Sequence, residues 1–105
     1  EFLDLPNPDS GLAALRLADG RLLLAFNDST RGRENLRLAV SEDKGRTWKR
    51  LATLAEEPGA EFSYPFLLQT RDGMVHLAYT WKRKGIKHAA FSTAWIDARQ
   101  SLPAP

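Results

Sequence analysis

Few side chains in this 105-residue sequence are suited to chemistry. Its two histidines, His76 and His88, lie on separate apolar runs, and with no cysteine and no third ligand at their spacing no metal site is expected. Arg33, in Gly32-Arg33-Glu34-Asn35-Leu36, offers a planar guanidinium of the kind that grips a carboxylate through two parallel N–H donors. Arg31 and Arg37 compete with it for that role. Arg83, in Lys82-Arg83-Lys84, reads first as part of a solvated turn and second as a ligand contact. Tyr64, in Phe62-Ser63-Tyr64-Pro65, lies in an apolar run where a tyrosine is ordinarily a packing aromatic. Glu56, Glu57 and Glu61 flank it. On a regular strand Glu61, three residues earlier, would face the opposite way, so it reads as rim. Trp81 and Trp95 read as core or closure residues, and no cofactor is expected.

The elements that must position these residues are strands. Leu12 to Leu17 alternates and meets Ala18-Asp19-Gly20, a hairpin signal. Arg21 to Phe26 returns, apolar at nearly every position and therefore buried on both faces. A polar loop runs from Asn27 to Glu34. Asn35 to Val40 and Lys49 to Leu54 are the next two strands. After a loop rich in Glu, Pro and Gly, Glu61 to Thr70 and Met74 to Trp81 flank a second Asp-Gly turn at Arg71-Asp72-Gly73. Ile86 to Ser92 is a last strand, and Thr93 to Gln100 reads as either a short helix or coil. The fold class is all-β and antiparallel. The two segments ALRLADGRLLLAF and LLQTRDGMVHLAY repeat the same strand, Asp-Gly turn and strand, with a period of about 50 residues, which suggests the four-stranded blades of a propeller.

Between the third and fourth strands lies Ser41-Glu42-Asp43-Lys44-Gly45-Arg46-Thr47-Trp48. Its residue types explain one another. Asp43 can accept bonds from backbone N–H groups, Gly45 suits a left-handed turn position, and Ser41 and Thr47 supply hydroxyls to the loop. Trp48 gives the hairpin end a large apolar plug.

Composition excludes several classes. A formal charge of +2, with Lys and Arg interspersed among Asp and Glu, does not argue for nucleic acid. No apolar run is long enough to span a membrane and no signal peptide is visible, which leaves a cytoplasmic or a secreted parent open. A chain starting at Glu1 suggests a piece of something longer, and Ser101 to Pro105 reads as a frayed tail.

The eight-residue turn resembles the Asp-box of sialidases, S-x-D-x-G-x-T-W, with Ser41, Asp43, Gly45, Thr47 and Trp48 at the specified positions. There the box is a structural turn without catalytic groups. From Leu5 to Phe91 the segments P-N-P-D-S-G, L-A-D-G-R-L-L-L-A-F-N, G-R-E-N-L-R-L-A-V-S-E-D-K-G-R-T-W, F-S-Y-P and D-G-M-V-H-L-A-Y-T-W look like the C-terminal part of bacterial sialidase-like proteins with BNR repeats. The resemblance implies a six-bladed β-propeller, of which this chain covers about two blades. Residues 1–60 would be one complete blade and residues 61–105 an incomplete final blade of three strands plus a tail. It also implies that Arg33 is the third arginine of the triad that binds the substrate carboxylate and Tyr64 the tyrosine nucleophile. The other two arginines, the assisting glutamate and the acid/base aspartate would lie elsewhere. The implied function is that of a fragment of an exo-α-sialidase or neuraminidase, inactive in isolation. The alternative is a non-catalytic carbohydrate-binding or structural propeller segment. The implied partner is a sialic acid-type or other acidic glycan, with no nucleic acid or membrane. Exposed strand edges point to a homo-oligomer of the isolated chain. In such blades the loops after the second and fourth strands open at one end and those after the first and third at the other. Arg33, Tyr64, Arg83 and the Asn7 to Gly11 loop should therefore share an end opposite the Asp-box.

Overall fold

The computed structural model describes residues 12–27, 35–57, 59–82 and 84–100. Within them the alternating runs become antiparallel strands: β1 (Ala13–Arg16), β2 (Leu22–Phe26), β3 (Asn35–Ser41), β4 (Lys49–Glu56), β5 (Phe62–Gln69), β6 (Val75–Trp81) and β7 (Gly85–Phe91). They form a four-stranded sheet in the order β1-β2-β3-β4 and a three-stranded sheet in the order β5-β6-β7. Each sheet is a simple meander. Two successive meanders stacked face to face are consecutive propeller blades.

The two Asp-Gly turns have the same construction. Leu17 and Arg21 bond at 2.8 Å, Thr70 and Met74 at 2.9 Å, and Gly20 and Gly73 each donate back to the residue opening the turn at 2.9 Å. Both glycines are left-handed, with φ of 97° and 88°. Each loop is thus a turn plus one left-handed residue, a three-residue hairpin rather than a two-residue one. Asp19 Oδ1 and Asp72 Oδ1 accept the backbone N–H two residues on, at 3.0 and 3.1 Å. Gln69 ties the turns together, accepting from Ala18 N at 2.9 Å and donating to the Gly73 carbonyl at 3.1 Å.

The sheets share one core. Leu23, Leu36, Leu38 and Leu51 of the first sheet meet Phe62, Leu67, Val75 and Leu77 of the second, all at most 6% exposed. β2 is covered on its second side as well, where Leu24 and Phe26 pack with Ala39 under Trp48. β1 and β5, the first strands of the two sheets, are neighbours in space.

Thr93–Gln100 is a helix, α1. The Ser92 hydroxyl caps it by accepting from Trp95 N at 3.1 Å. Ile96 is fully buried in the shared core, and Trp95 packs on Phe91 with ring centroids 4.9 Å apart. These contacts, rather than propensity, decide between helix and coil.

Candidate functional site at the open end

Strand direction sorts the loops into two ends. The Asp19-Gly20 turn, the Asp-box and the Asp72-Gly73 turn lie at one end with α1. The residue 27–35 connection, the start of β5 and the β6–β7 turn lie at the other.

At the box end every specified group is engaged in the turn itself. The Ser41 hydroxyl donates to Asp43 Oδ1 at 2.7 Å and accepts from Gly45 N at 2.8 Å. Thr47 donates to Asp43 through its hydroxyl at 2.5 Å and its N–H at 2.9 Å. Trp48 Nε1 donates to the Gly45 carbonyl at 3.0 Å. Lys44 and Gly45 are both left-handed, with φ of 65° and 91°. The Thr47 hydroxyl above all, then the Thr47 N–H and the Ser41 hydroxyl, hold the Asp43 carboxyl far below the usual carboxylate range. A carboxylate bonded in this way is a turn fastener and not an acid or base. The same end carries an open polar hollow of about 720 Å³. Its charges answer one another: Arg21 pairs with Asp19 at 2.6 Å and Asp97 at 2.7 Å, and Gln100 bonds Glu42 and, through its carbonyl, Lys49. This network seats the last turn of α1 against the box.

The opposite end carries Tyr64, which is 66% exposed and left-handed, with φ of 51°. The pairing of β5 with β6 shifts between Ser63 and Phe66, so Tyr64 and Pro65 form a bulge. Proline cannot donate to a ladder, which is the local reason the bulge forms there. Phe62 and Leu67 both reach the core although they lie an odd number of positions apart, because the bulge resets the alternation. Glu61 therefore cannot be assigned a face by counting from Tyr64. A non-glycine residue held left-handed costs on the order of 1–2 kcal/mol, and such residues gather where a side chain must be aimed. Ser63, one residue earlier, is buried with a hydroxyl that has no hydrogen-bond partner among the described residues.

Asn27 links this strand to the preceding loop. It is fully buried, and its amide donates to the Asn35 carbonyl at 2.7 Å and the Phe62 carbonyl at 2.8 Å. It pins both ends of the residue 28–34 connection to the strand start two residues before Tyr64. By sequence Asn27 opens the polar loop of residues 27–34; in the structure it is buried directly after the end of β2. Its signal was an amide ending an otherwise apolar strand, Leu22-Leu23-Leu24-Ala25-Phe26-Asn27. The β6–β7 turn is fastened to the same place, since Lys82 N donates to the Glu61 carbonyl at 2.8 Å and Lys82 Nζ pairs with Glu57 at 2.8 Å.

Of the sequence candidates, Tyr64 lies at this end. Arg33 and Arg83 fall outside the described residues, as do Arg31 and the Asn7 to Gly11 loop. Arg37 is engaged on the sheet surface, donating to Thr53 Oγ1 at 3.0 Å and pairing with Glu56 at 3.5 Å. Trp81 is half-buried beside the core and carries Lys82 and Lys87 over its ring. The other tyrosine, Tyr79, is buried in the core, which pushes its phenol above the usual range. His76 and His88, on separate strands, prove to be neighbours, with facing ring nitrogens 3.0 Å apart. Among the described residues no group of three or more His, Cys, Asp or Glu comes together.

A family model described as a BNR repeat-like domain matches residues 1–77. Among solved structures, a leech intramolecular trans-sialidase complexed with 2,7-anhydro-Neu5Ac, prepared by soaking with 3'-sialyllactose, is similar at a TM-score of 0.61 and 19% identity. The likeness covers 86% of this chain and 17% of the leech one, so the chain spans about a sixth of that protein, and at this identity it speaks for the fold alone. No curated protein matches.

Proposed function

We propose, because this chain belongs to the BNR repeat-like domain family, that it supplies two blades of a sialidase-like propeller that cleaves a terminal sialic acid or related acidic sugar. The observation that carries the reading is Tyr64, a strained and exposed tyrosine at the end of the blades away from the Asp-box. Residues 1–60 act as a complete blade and 61–105 as three strands of the next, with the other blades supplied by the parent protein.

Sialic acids carry a carboxylate beside the anomeric carbon, and it would repel an anionic carboxylate nucleophile. A neutral phenol avoids the repulsion, and sialidases depart from the two-carboxylate rule of glycosidases in this way. In this reading the Tyr64 oxygen bonds to the anomeric carbon as the glycosidic C–O bond breaks; a base takes the phenol proton, because a phenol is a weak nucleophile until deprotonated, and an acid protonates the departing oxygen. Arg33 holds the substrate carboxylate through a guanidinium fork, and Arg83 adds a weaker contact at the rim. Asn27 ties the start of β3 at Asn35 to the start of the tyrosine strand at Phe62. The base, the acid and the remaining arginines come from the missing blades, so the 105-residue chain alone turns over no sialoside.

The test uses the full-length parent. Tyr64→Phe should abolish turnover while leaving an acidic-sugar analogue bound. Arg33→Ala should instead weaken that binding by roughly 1.5–3 kcal/mol, the worth of a charge-assisted contact. Full turnover by Tyr64→Phe would move the protein to the second reading, a non-catalytic carbohydrate-binding or structural propeller. The isolated chain also exposes the β7 edge, with Ile86 on it 78% exposed, and Phe66 on β5, 60% exposed. It should therefore self-associate. A clean monomer in sedimentation at high concentration would contradict that.

A further inference from the structure

His76 and His88 are the chain's whole complement of imidazoles. On the paired strands β6 and β7, His88 lies opposite Ala78 and His76 opposite Ala90, so the two are diagonal neighbours on the sheet face turned away from the core. His76 Nδ1 and His88 Nε2 are 3.0 Å apart. The rings are within 17° of parallel with centroids 5.2 Å apart. With the nitrogens that close, the rings meet edge to edge rather than lying one over the other.

The neighbouring bonds fix which nitrogen carries the proton. The Thr70 hydroxyl bonds Asp72 Oδ1 and lies 3.3 Å from His76 Nε2. An ionised carboxylate can only accept, so Thr70 gives its proton to Asp72, and His76 Nε2–H donates to Thr70 Oγ1. His76 Nδ1 is then a bare acceptor, and His88 Nε2–H donates to it. One imidazole is thus held by a hydroxyl and carboxylate behind it with its free lone pair facing the other imidazole. That is the outer support a metal-binding histidine ordinarily has.

We propose that His76 and His88 form a two-imidazole site for a divalent first-row transition-metal ion, which replaces the proton now shared between their facing nitrogens. Two nitrogens 3.0 Å apart, each about 2.0–2.1 Å from a common ion, subtend about 90° at it. A right angle suits square-planar or octahedral coordination better than tetrahedral, and imidazole nitrogen suits Cu²⁺ and Ni²⁺, with Cu²⁺ the tighter. Each ring must turn to bring its lone pair onto one point. The open hollow lined by Phe66, Leu68, Ala78 and the two histidines, about 310 Å³, has room for that movement and for the waters completing the shell. His88 moves its proton to Nδ1, so it stays neutral as a ligand must. The bound ion would staple the edge strand β7 to β6. This site stands apart from the proposed sialidase chemistry.

The test is titration of the 105-residue chain with CuCl₂, and separately NiCl₂, in a non-coordinating buffer at neutral pH. Electron paramagnetic resonance and the melting temperature are the readouts. One equivalent of Cu²⁺ should show coupling to two imidazole nitrogens and raise Tm. His76→Asn and His88→Asn should each weaken that first equivalent by roughly tenfold or more, and Thr70→Val by less. Both variants should melt normally without metal. If His76→Asn loses its fold, His88→Asn on the exposed edge strand decides. First-equivalent binding that is unchanged in His88→Asn, or that couples to fewer than two imidazoles in the native chain, overturns the proposal.

Discussion

Asn27 is the residue whose loss the structure costs most directly. Its amide is fully buried and donates to two carbonyls, Asn35 at 2.7 Å and Phe62 at 2.8 Å. Asn27→Ala removes both donors. Each bond is worth about 0.5–1.5 kcal/mol net, and each buried acceptor left short of a partner adds to the loss, so about 2–4 kcal/mol is expected for the pair. For a domain of this size that lowers Tm by roughly 10–25 °C. Asn27→Asp keeps the shape but points carboxylate oxygens at carbonyl oxygens, and only its protonated form can donate. The folded-state pKa of that new carboxyl is therefore raised above its unfolded value. Stability should be fully present below the unfolded pKa, near 4, and be lost as pH rises through the folded one. Urea melts at several pH values test both variants, with the midpoint shifting at constant m. Variants within about 0.5 kcal/mol of the native chain, the usual range of surface substitutions, or an Asn27→Asp chain indifferent to pH, would refute the assigned role.

Other expectations follow from the turn and the bulge. Asp43→Ala should lower stability, and because the folded-state pKa of Asp43 is depressed, the gap from the native chain should hold at neutral pH. It should close only as pH falls through and below the ordinary carboxylate range; a gap still open at strongly acid pH counts against the assigned bonds. Tyr64→Gly should recover on the order of 1 kcal/mol of left-handed strain relative to Tyr64→Ala, measured by urea midpoints, since glycine alone adopts that conformation freely. Ser63→Ala, which deletes a buried hydroxyl lacking a partner among the described residues, should be neutral or stabilising in the isolated chain. A loss above about 1 kcal/mol there would reveal an unseen partner.

Much of the scaffold was legible because its signals are local. Alternation and the paired Asp-Gly turns gave β1, β2, β5 and β6, and the box residues gave the hairpin between β3 and β4, each to within a residue or two. What escaped depends on contacts between distant residues. The fully buried Asn27 looks like loop until Phe62 is placed beside it. The bulge at Tyr64 had a local signal in Pro65, but its left-handed backbone and the reset of alternation follow from the pairing with β6. The meeting of His76 and His88 depends on the register of β7 against β6, which strand membership does not determine. α1 forms because Ile96 finds a core to fill.

The central claim is that Tyr64 is the nucleophile of a sialidase-like site. The most direct measurement exposes the full-length parent to a fluorinated sialosyl substrate that forms the glycosyl-enzyme bond quickly and hydrolyses it slowly, and then maps the modified peptide by mass spectrometry. The account predicts one sugar adduct per chain on the Tyr64 phenol, absent in Tyr64→Phe. An active parent whose adduct lies on another residue would contradict it.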